Sequence, residues 1–156
     1  MTPDEDIFAL LPDEHRRLDN LFLQHQEAVL VGDWEGAASK LAEFQALLRR
    51  HIKVEEGALL PIYGERVGEV PGGSATVFLL EHRRIEQLLR QVEERLRELA
   101  RSPTRRGTIA HLDFEKMFKD YLEHHDLRER NLLYPKCRQV FSAPEQAAAR
   151  DFWERA

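Results

Sequence analysis

Four long stretches with a helical repeat of apolar residues, separated by only three breaks, limit most strongly what this chain can fold into. Glycine and proline interrupt it at Gly32, at Gly64 to Gly73 and at Pro103 to Gly107. The intervening segments run over roughly 5–31, 33–63, 74–101 and 108–140. In the first, Leu11, His15, Leu18, Phe22, His25 and Val29 recur at three- and four-residue steps. The second carries Leu41, Phe44, Leu48, His51 or Ile52, Glu55, Leu59 and Ile62; the third Phe78, His82, Ile85, Leu89, Val92, Leu96 and Leu99. The fourth is looser, with Phe114, Phe118, Tyr121 or Leu122, His125, Glu129 and Leu132. Such spacing puts one apolar stripe along a helix, and no stretch alternates as a half-buried strand would. Asp13 or Asp33, Ser74 and Thr108 are candidate N-caps. Amphipathic helices with short connections predict an all-α, up-and-down antiparallel four-helix bundle. One domain is expected over 1–156, with its core at about 5–140. A short helical tail follows Ser142-Ala143-Pro144, where Phe152 and Trp153 can dock on the bundle. Trp34 is expected to pack at a helix start.

Composition excludes several classes. Hydrophobic residues, at 42%, suffice for one core, and a net charge of −5 argues against a nucleic-acid partner. Charged runs such as Arg83-Arg84, Glu93-Glu94-Arg95 and Arg105-Arg106 fit solvated helix faces. One cysteine, Cys137, leaves no internal disulfide. No apolar run approaches the roughly 18 residues of a membrane span, and the acidic start Thr2-Pro3-Asp4-Glu5-Asp6 lacks a signal peptide's basic region. A cytoplasmic location without membrane contact is therefore expected.

Two internal echoes sharpen the reading. Glu14-His15-Arg16-Arg17-Leu18-Asp19 returns as Glu81-His82-Arg83-Arg84-Ile85-Glu86. His51-x-x-x-Glu55, followed by Leu59-Leu60-Pro61, returns as His125-x-x-x-Glu129, followed by Leu133-Tyr134-Pro135. The chain thus reads as two helical hairpins, each with a lone histidine and then a His-x-x-x-Glu. Counted from the turns at about 1.5 Å per residue, His15, His51, His82 and His125 fall near one level, with Glu55 and Glu129. Histidine and glutamate one turn apart share a helix face. Buried carboxylates are costly unless paired or bound to metal, and no lysine or arginine occupies these seam positions. Nitrogen and oxygen donors without thiolate suit iron, manganese or zinc. Of the seven histidines, the remaining three have no place in this pattern. His25 is expected to be structural and partly buried, and His111 to be at the surface. His124 is an alternative ligand to His125.

In this order, the motifs resemble those of the hemerythrin family, specifically its bacterial HHE cation-binding branch. The matching elements are His15; His51-x-x-x-Glu55-Glu56-x-x-Leu59-Leu60-Pro61; Glu81-His82-x-x-Ile85; and His125-x-x-x-Glu129-x-x-Leu132-Leu133-Tyr134-Pro135, together covering about residues 8–138. The resemblance implies two non-haem iron ions bridged by Glu55 and Glu129. His15 and His51 would bind one, and His82 and His125 the other; zinc or manganese could substitute. Oxygen-carrying members have a histidine one turn after the third-helix histidine. Glu86 stands there instead and is expected to be a ligand, with Asp19 as its echo. This departure brings the chain nearer to iron-centre repair proteins, which add a cysteine-bearing N-terminal domain. The rival ferritin-type bundles use Glu-x-x-His, which does not occur in this sequence.

The leading expectation is a di-iron protein that binds or senses oxygen or nitric oxide, a binding protein rather than an enzyme. Leu18, Leu48, Ile52, Ile85 and Leu122 would keep water from the layer. The alternative is iron storage, or donation to damaged iron–sulfur or di-iron centres under stress. Peroxide or nitric oxide turnover, and a purely structural metal, are further possibilities.

Overall fold

The computed structural model describes residues 6–156, so the acidic residues Thr2 to Glu5 lie outside it. Every regular element among the described residues is helical: α1 Ile7–Leu30, α2 Trp34–Val54, the π-helical turn π1 Glu55–Leu59, α3 Leu60–Arg66, α4 Ala75–Arg101, α5 Arg105–Arg128, a second π-helical turn π2 Glu129–Leu133, α6 Tyr134–Val140 and α7 Ala143–Arg155.

Local chemistry sets most boundaries. The Asp6 carboxylate accepts from the Ala9 N–H at 2.9 Å and opens α1. Asp13, a candidate cap, lies inside that helix, because Ile7, Phe8 and Leu11 are buried and carry the helix back across Pro12. Gly32, with φ +74°, closes α1 in the left-handed conformation that a side chain disfavours, and Asp33 then donates its N–H to Ala28 O at 2.9 Å. Asp33 itself caps α2 through Gly36 N–H. Ser74 precedes α4 with extended backbone but makes no side-chain cap bond. The fourth helical stretch starts earlier than Thr108, since Thr104 accepts from Gly107 N–H at 2.9 Å. Ser142 and Glu145 form a reciprocal capping box on α7.

The two π turns have a common cause. Each is followed, one residue on, by a proline: Pro61 and Pro135. Proline has no N–H and its ring crowds the carbonyl four residues back. The ladder accordingly widens just before it: Leu60 N–H bonds to Glu55 O and Tyr134 N–H to Glu129 O, five residues back rather than four.

The helices pack as a bundle in which α1 lies against α2 and α5, and α4 against α2 and α5. Two apolar clusters fill it. One includes Leu18, Phe22, Phe44, Leu48, Ile85, Leu89, Phe118 and Leu122, with Trp34 packed against it. The other includes Ile7, Leu11, Leu59, Tyr63, Phe78, Leu133, Tyr134 and Cys137. Phe152 and Trp153 of α7 pack on the second cluster. The docking needs Gly57: a Cβ there would stand 2.5 Å from the Phe152 ring. No helix among the described residues is long and apolar enough to cross a membrane.

Candidate metal centre

Between the two apolar clusters, four helical stretches each turn a histidine inward. His15 comes from α1, His51 from the end of α2, His82 from α4 and His125 from the end of α5. All are buried, and Glu55 and Glu129 have no exposure. His15 Nε2 lies 3.0 Å from His51 Nε2 and 3.2 Å from Glu129 Oε1. His51 Nε2 lies 2.6 Å from Glu55 Oε1. On the other side, Glu129 Oε2 is 3.2 Å from His125 Nε2 and 3.7 Å from His82 Nε2. Two donor groups result, His15–His51–Glu55–Glu129 and His82–His125–Glu129. Glu129 gives one oxygen to each. Both carboxylates are the first residues of the π turns, where the helix departs from its α period.

The outward nitrogens are held by a ring of carboxylates. His51 Nδ1 donates to Glu14 Oε1 at 3.0 Å, and His125 Nδ1 to Glu81 Oε1 at 3.2 Å. His82 Nδ1 donates to Glu56 Oε1 at 3.1 Å. Arg50 anchors Glu14 at 2.7 Å, and Arg128 anchors Glu81 at 3.2 Å. Arg50 also donates to the Trp153 and Ala156 carbonyls, which ties α7 to this ring. A carboxylate on Nδ1 fixes the tautomer, leaves the Nε2 lone pair facing inward and raises its basicity. Glu14 and Glu81 were present in the echo, each just before a lone histidine, but their role depends on contact across a hairpin. His15 is the exception. Its Nδ1 is buried with no hydrogen-bond partner, and Arg130 stands at the sequence position matching Glu56.

Four of the inward atoms have no hydrogen-bond partner in the protein. Both Glu55 oxygens, Glu129 Oε2 and His82 Nε2 are buried without a hydrogen bond. Glu55 Oε1 meets His51 Nε2 as an ion pair at 2.6 Å. Convergent lone pairs on imidazole nitrogen and carboxylate oxygen fit a cation, and this donor set suits iron, manganese or zinc. In the metal-free chain, protons partly fill that role. Burial alone would lower the His51 imidazole, but Glu55 and Glu14 outweigh it and push it up to about 10. Burial would raise Glu55, yet His51 draws it down to about 2. Burial lowers His15 and His82, favouring neutral rings with a free lone pair.

Two further groups reach the centre. The buried Tyr134 hydroxyl lies 3.3 and 3.4 Å from the Nε2 atoms of His15 and His51, and donates to Glu129 Oε1 at 3.5 Å. Burial raises its pKa well above the usual phenol value, so the proton stays. Asp126 Oδ1 is 3.6 Å from His15 Nε2, and burial raises its carboxyl. His15 and Asp126 also line a cavity of about 750 Å³ between α1 and α5, whose other walls include Arg16, Asp19, Lys119 and Arg130.

Several expected placements differ. Glu86 is outside the layer: Arg49 Nε takes its carboxylate at 3.0 Å. Asp19 is exposed on the cavity wall. His124 points outward and meets Arg128. His111, expected at the surface, is 3% exposed, and His25 is fully buried rather than partly. Those two converge with Glu115, which completes a further His-x-x-x-Glu, His111 to Glu115. That spacing is legible in the sequence, but the residues lie outside the two matched echoes.

The family model for the hemerythrin HHE cation-binding domain matches residues 6–137. No curated protein and no solved structure matches the chain.

Proposed function

Because the chain belongs to the hemerythrin HHE cation-binding domain family, we propose that its histidine–glutamate layer holds two non-haem iron ions and binds or senses a small diatomic ligand. The observation that carries this is the set of buried, unpaired donor atoms at the centre: Glu55 Oε1 and Oε2, His82 Nε2 and Glu129 Oε2. His15, His51 and Glu55 would hold one ion and His82 and His125 the other, with Glu129 shared. We read the ring of helix contacts as the up-and-down antiparallel four-helix bundle that supports such a layer. When bound, the iron pair supplies electrons and an open coordination position to oxygen or nitric oxide.

The protein's own residues supply the rest. Leu18, Leu48, Ile85 and Leu122 border the layer from one cluster, and Leu59, Phe78 and Leu133 from the other, keeping bulk water out. Glu14, Glu56 and Glu81 orient the rings from outside. Tyr134 holds a proton at its hydroxyl beside Glu129. Asp126, its carboxyl raised by burial, can hold another beside His15 at the cavity. The test is metal analysis and an absorption spectrum on protein from iron-rich growth, before and after oxygen or nitric oxide. Two irons per chain and a spectrum that responds to either gas are expected. An iron-free layer, or a spectrum indifferent to both gases, would exclude the reading.

One observation favours a second reading, iron storage or donation. The cavity beside His15 carries the carboxylates of Asp19, Asp120, Glu123 and Asp126, interleaved with Arg16, Lys116, Lys119 and Arg130, and these are oxygen donors within reach of the layer's edge. On that reading, iron passes to an external chelator within minutes, and Asp126→Asn slows the loss. Iron retained against the chelator would count against it.

A further inference from the structure

We propose that His25, His111 and Glu115 form a separate mononuclear site for a divalent cation of the zinc class. The trio sits among α1, α2 and α5, about ten residues along α1 from His15, which is roughly 15 Å by helix rise. All three side chains are buried, at 0%, 3% and 0% exposure. His25 Nε2 lies 2.5 Å from Glu115 Oε2, and His111 Nε2 lies 2.9 Å from the same oxygen.

The hydrogen-bond inventory argues for a cation at this point. His25 Nδ1 is 2.7 Å from the Ala37 carbonyl, which can only accept, so that nitrogen carries the proton. Neutral His25 then presents an Nε2 lone pair to a carboxylate oxygen, two acceptors face to face. A second imidazole nitrogen converges on that oxygen. Three donor atoms of two rings and one carboxylate therefore surround one point, with outer supports in place for His25 and Glu115 and with the buried His111 Nδ1 left unpartnered. The Ala37 carbonyl orients His25. Gln26 donates to the other Glu115 oxygen at 3.4 Å and is itself held by Lys119 at 3.0 Å. Backbone carbonyls and hydrogen-bonded carboxylates are the usual outer supports of metal ligands. The composition repeats one half of the main layer: a lone histidine on one helix and a His-x-x-x-Glu on another. Two nitrogens and one oxygen leave a fourth tetrahedral position open, as zinc sites with three protein ligands do. Ligand atoms about 2 Å from zinc stand roughly 3.3 Å apart, so Glu115 must withdraw by less than 1 Å. The contacts from Glu115 to half-buried Gln26 and on to exposed Lys119 connect the trio to the surface.

The rival occupant is a proton on His25 Nε2, and diffraction separates the two. Crystals of the full wild-type chain, loaded with saturating zinc, would be measured on both sides of the zinc absorption edge. An anomalous peak among His25 Nε2, His111 Nε2 and Glu115 Oε2 is expected. No peak there overturns the proposal, whatever the layer holds. In solution, Glu115→Gln and His111→Gln should each lose one zinc equivalent per chain, while His82→Ala keeps that equivalent. Wild-type stoichiometry in both trio variants would also overturn it. A zinc-free layer beside an occupied trio would leave this proposal standing, and metal analysis of protein from iron-rich growth would decide the iron-centre reading separately.

Discussion

The layer and the trio use the same side chains in different surroundings. In the layer, two His-x-x-x-Glu pairs face each other, and three of four histidines are backed by carboxylates: Glu14, Glu56 and Glu81. In the trio, one pair meets one histidine, backed by the neutral Ala37 carbonyl. The layer leaves four inward donor atoms unpaired, and the trio leaves only His111 Nδ1. Protons can satisfy most of the trio but not the layer. Unfilled lone pairs and anionic backing thus make the layer the stronger cation trap.

That contrast can be broken most severely at Glu129, which serves both donor groups. Glu129→Ala is expected to remove both layer metals and to destabilise the loaded protein by about 3–5 kcal/mol, as losing one partner of a buried charged set does. Metal analysis and calorimetry check this; two metals retained would break the assignment. His51→Ala and Glu55→Ala should act in the same direction.

The backing carboxylates come next. Glu14→Gln and Glu81→Gln preserve shape but remove the anion behind His51 and His125. Each should weaken metal affinity roughly 10- to 100-fold, measured by chelator competition. An unchanged affinity would mean that the anionic ring does not distinguish the layer.

A pH series on the metal-free chain sharpens the comparison further. Glu55, held at about 2 against an ordinary 4.5, adds stability that is present above 4.5 and lost as pH falls towards 2. His51, raised to about 10 from 6.5, adds stability that is complete below 6.5 and lost as pH rises through 10. The pair therefore contributes fully between about 4.5 and 6.5. Denaturant midpoints across that range should decline on both sides, and Glu55→Gln should flatten the profile. Metal must displace the His51 proton, so uptake should release protons and tighten with rising pH; calorimetry in two buffers would detect this.

The smallest effect is expected at Glu86. Its carboxylate pairs with Arg49 at a partly exposed position. Glu86→Ala should leave metal content unchanged and move stability by no more than about 0.5 kcal/mol. A lost metal would return Glu86 to the layer.

What could be read from the chain divides along physical lines. The helical stretches and the inward histidines were legible, because a 3.6-residue period places His15, His51, His82 and His125 on apolar seams. The backing by Glu14 and Glu81 was not, because it joins residues 37 and 44 positions apart. Glu86 shares the His82 stripe in sequence, but its fate was decided by Arg49 on another helix. His111 lies outside the matched echoes, although its partner Glu115 stands one turn away. The π turns shift the apolar period by a single residue, a slip too small to read beside the mixed His/Ile and Tyr/Leu alternatives, and the prolines that follow are their clearest sign.

Those turns have a consequence for tolerance to insertion and deletion. Each holds one residue more than an α-helical course over the same rise would, so the sequence period beyond it runs about 100° out of phase with the period before. Deleting any one of Glu55–Leu59 would let α2 and α3 fuse into a single regular helix. The chain would lose one residue in length, yet Leu60 and Tyr63 would keep their place on the core, because the widened turn takes up its extra residue without rotating the helix beyond it. Loss of that residue therefore falls on the layer glutamate at the head of the turn, and not on the two stretches of core that the turn joins.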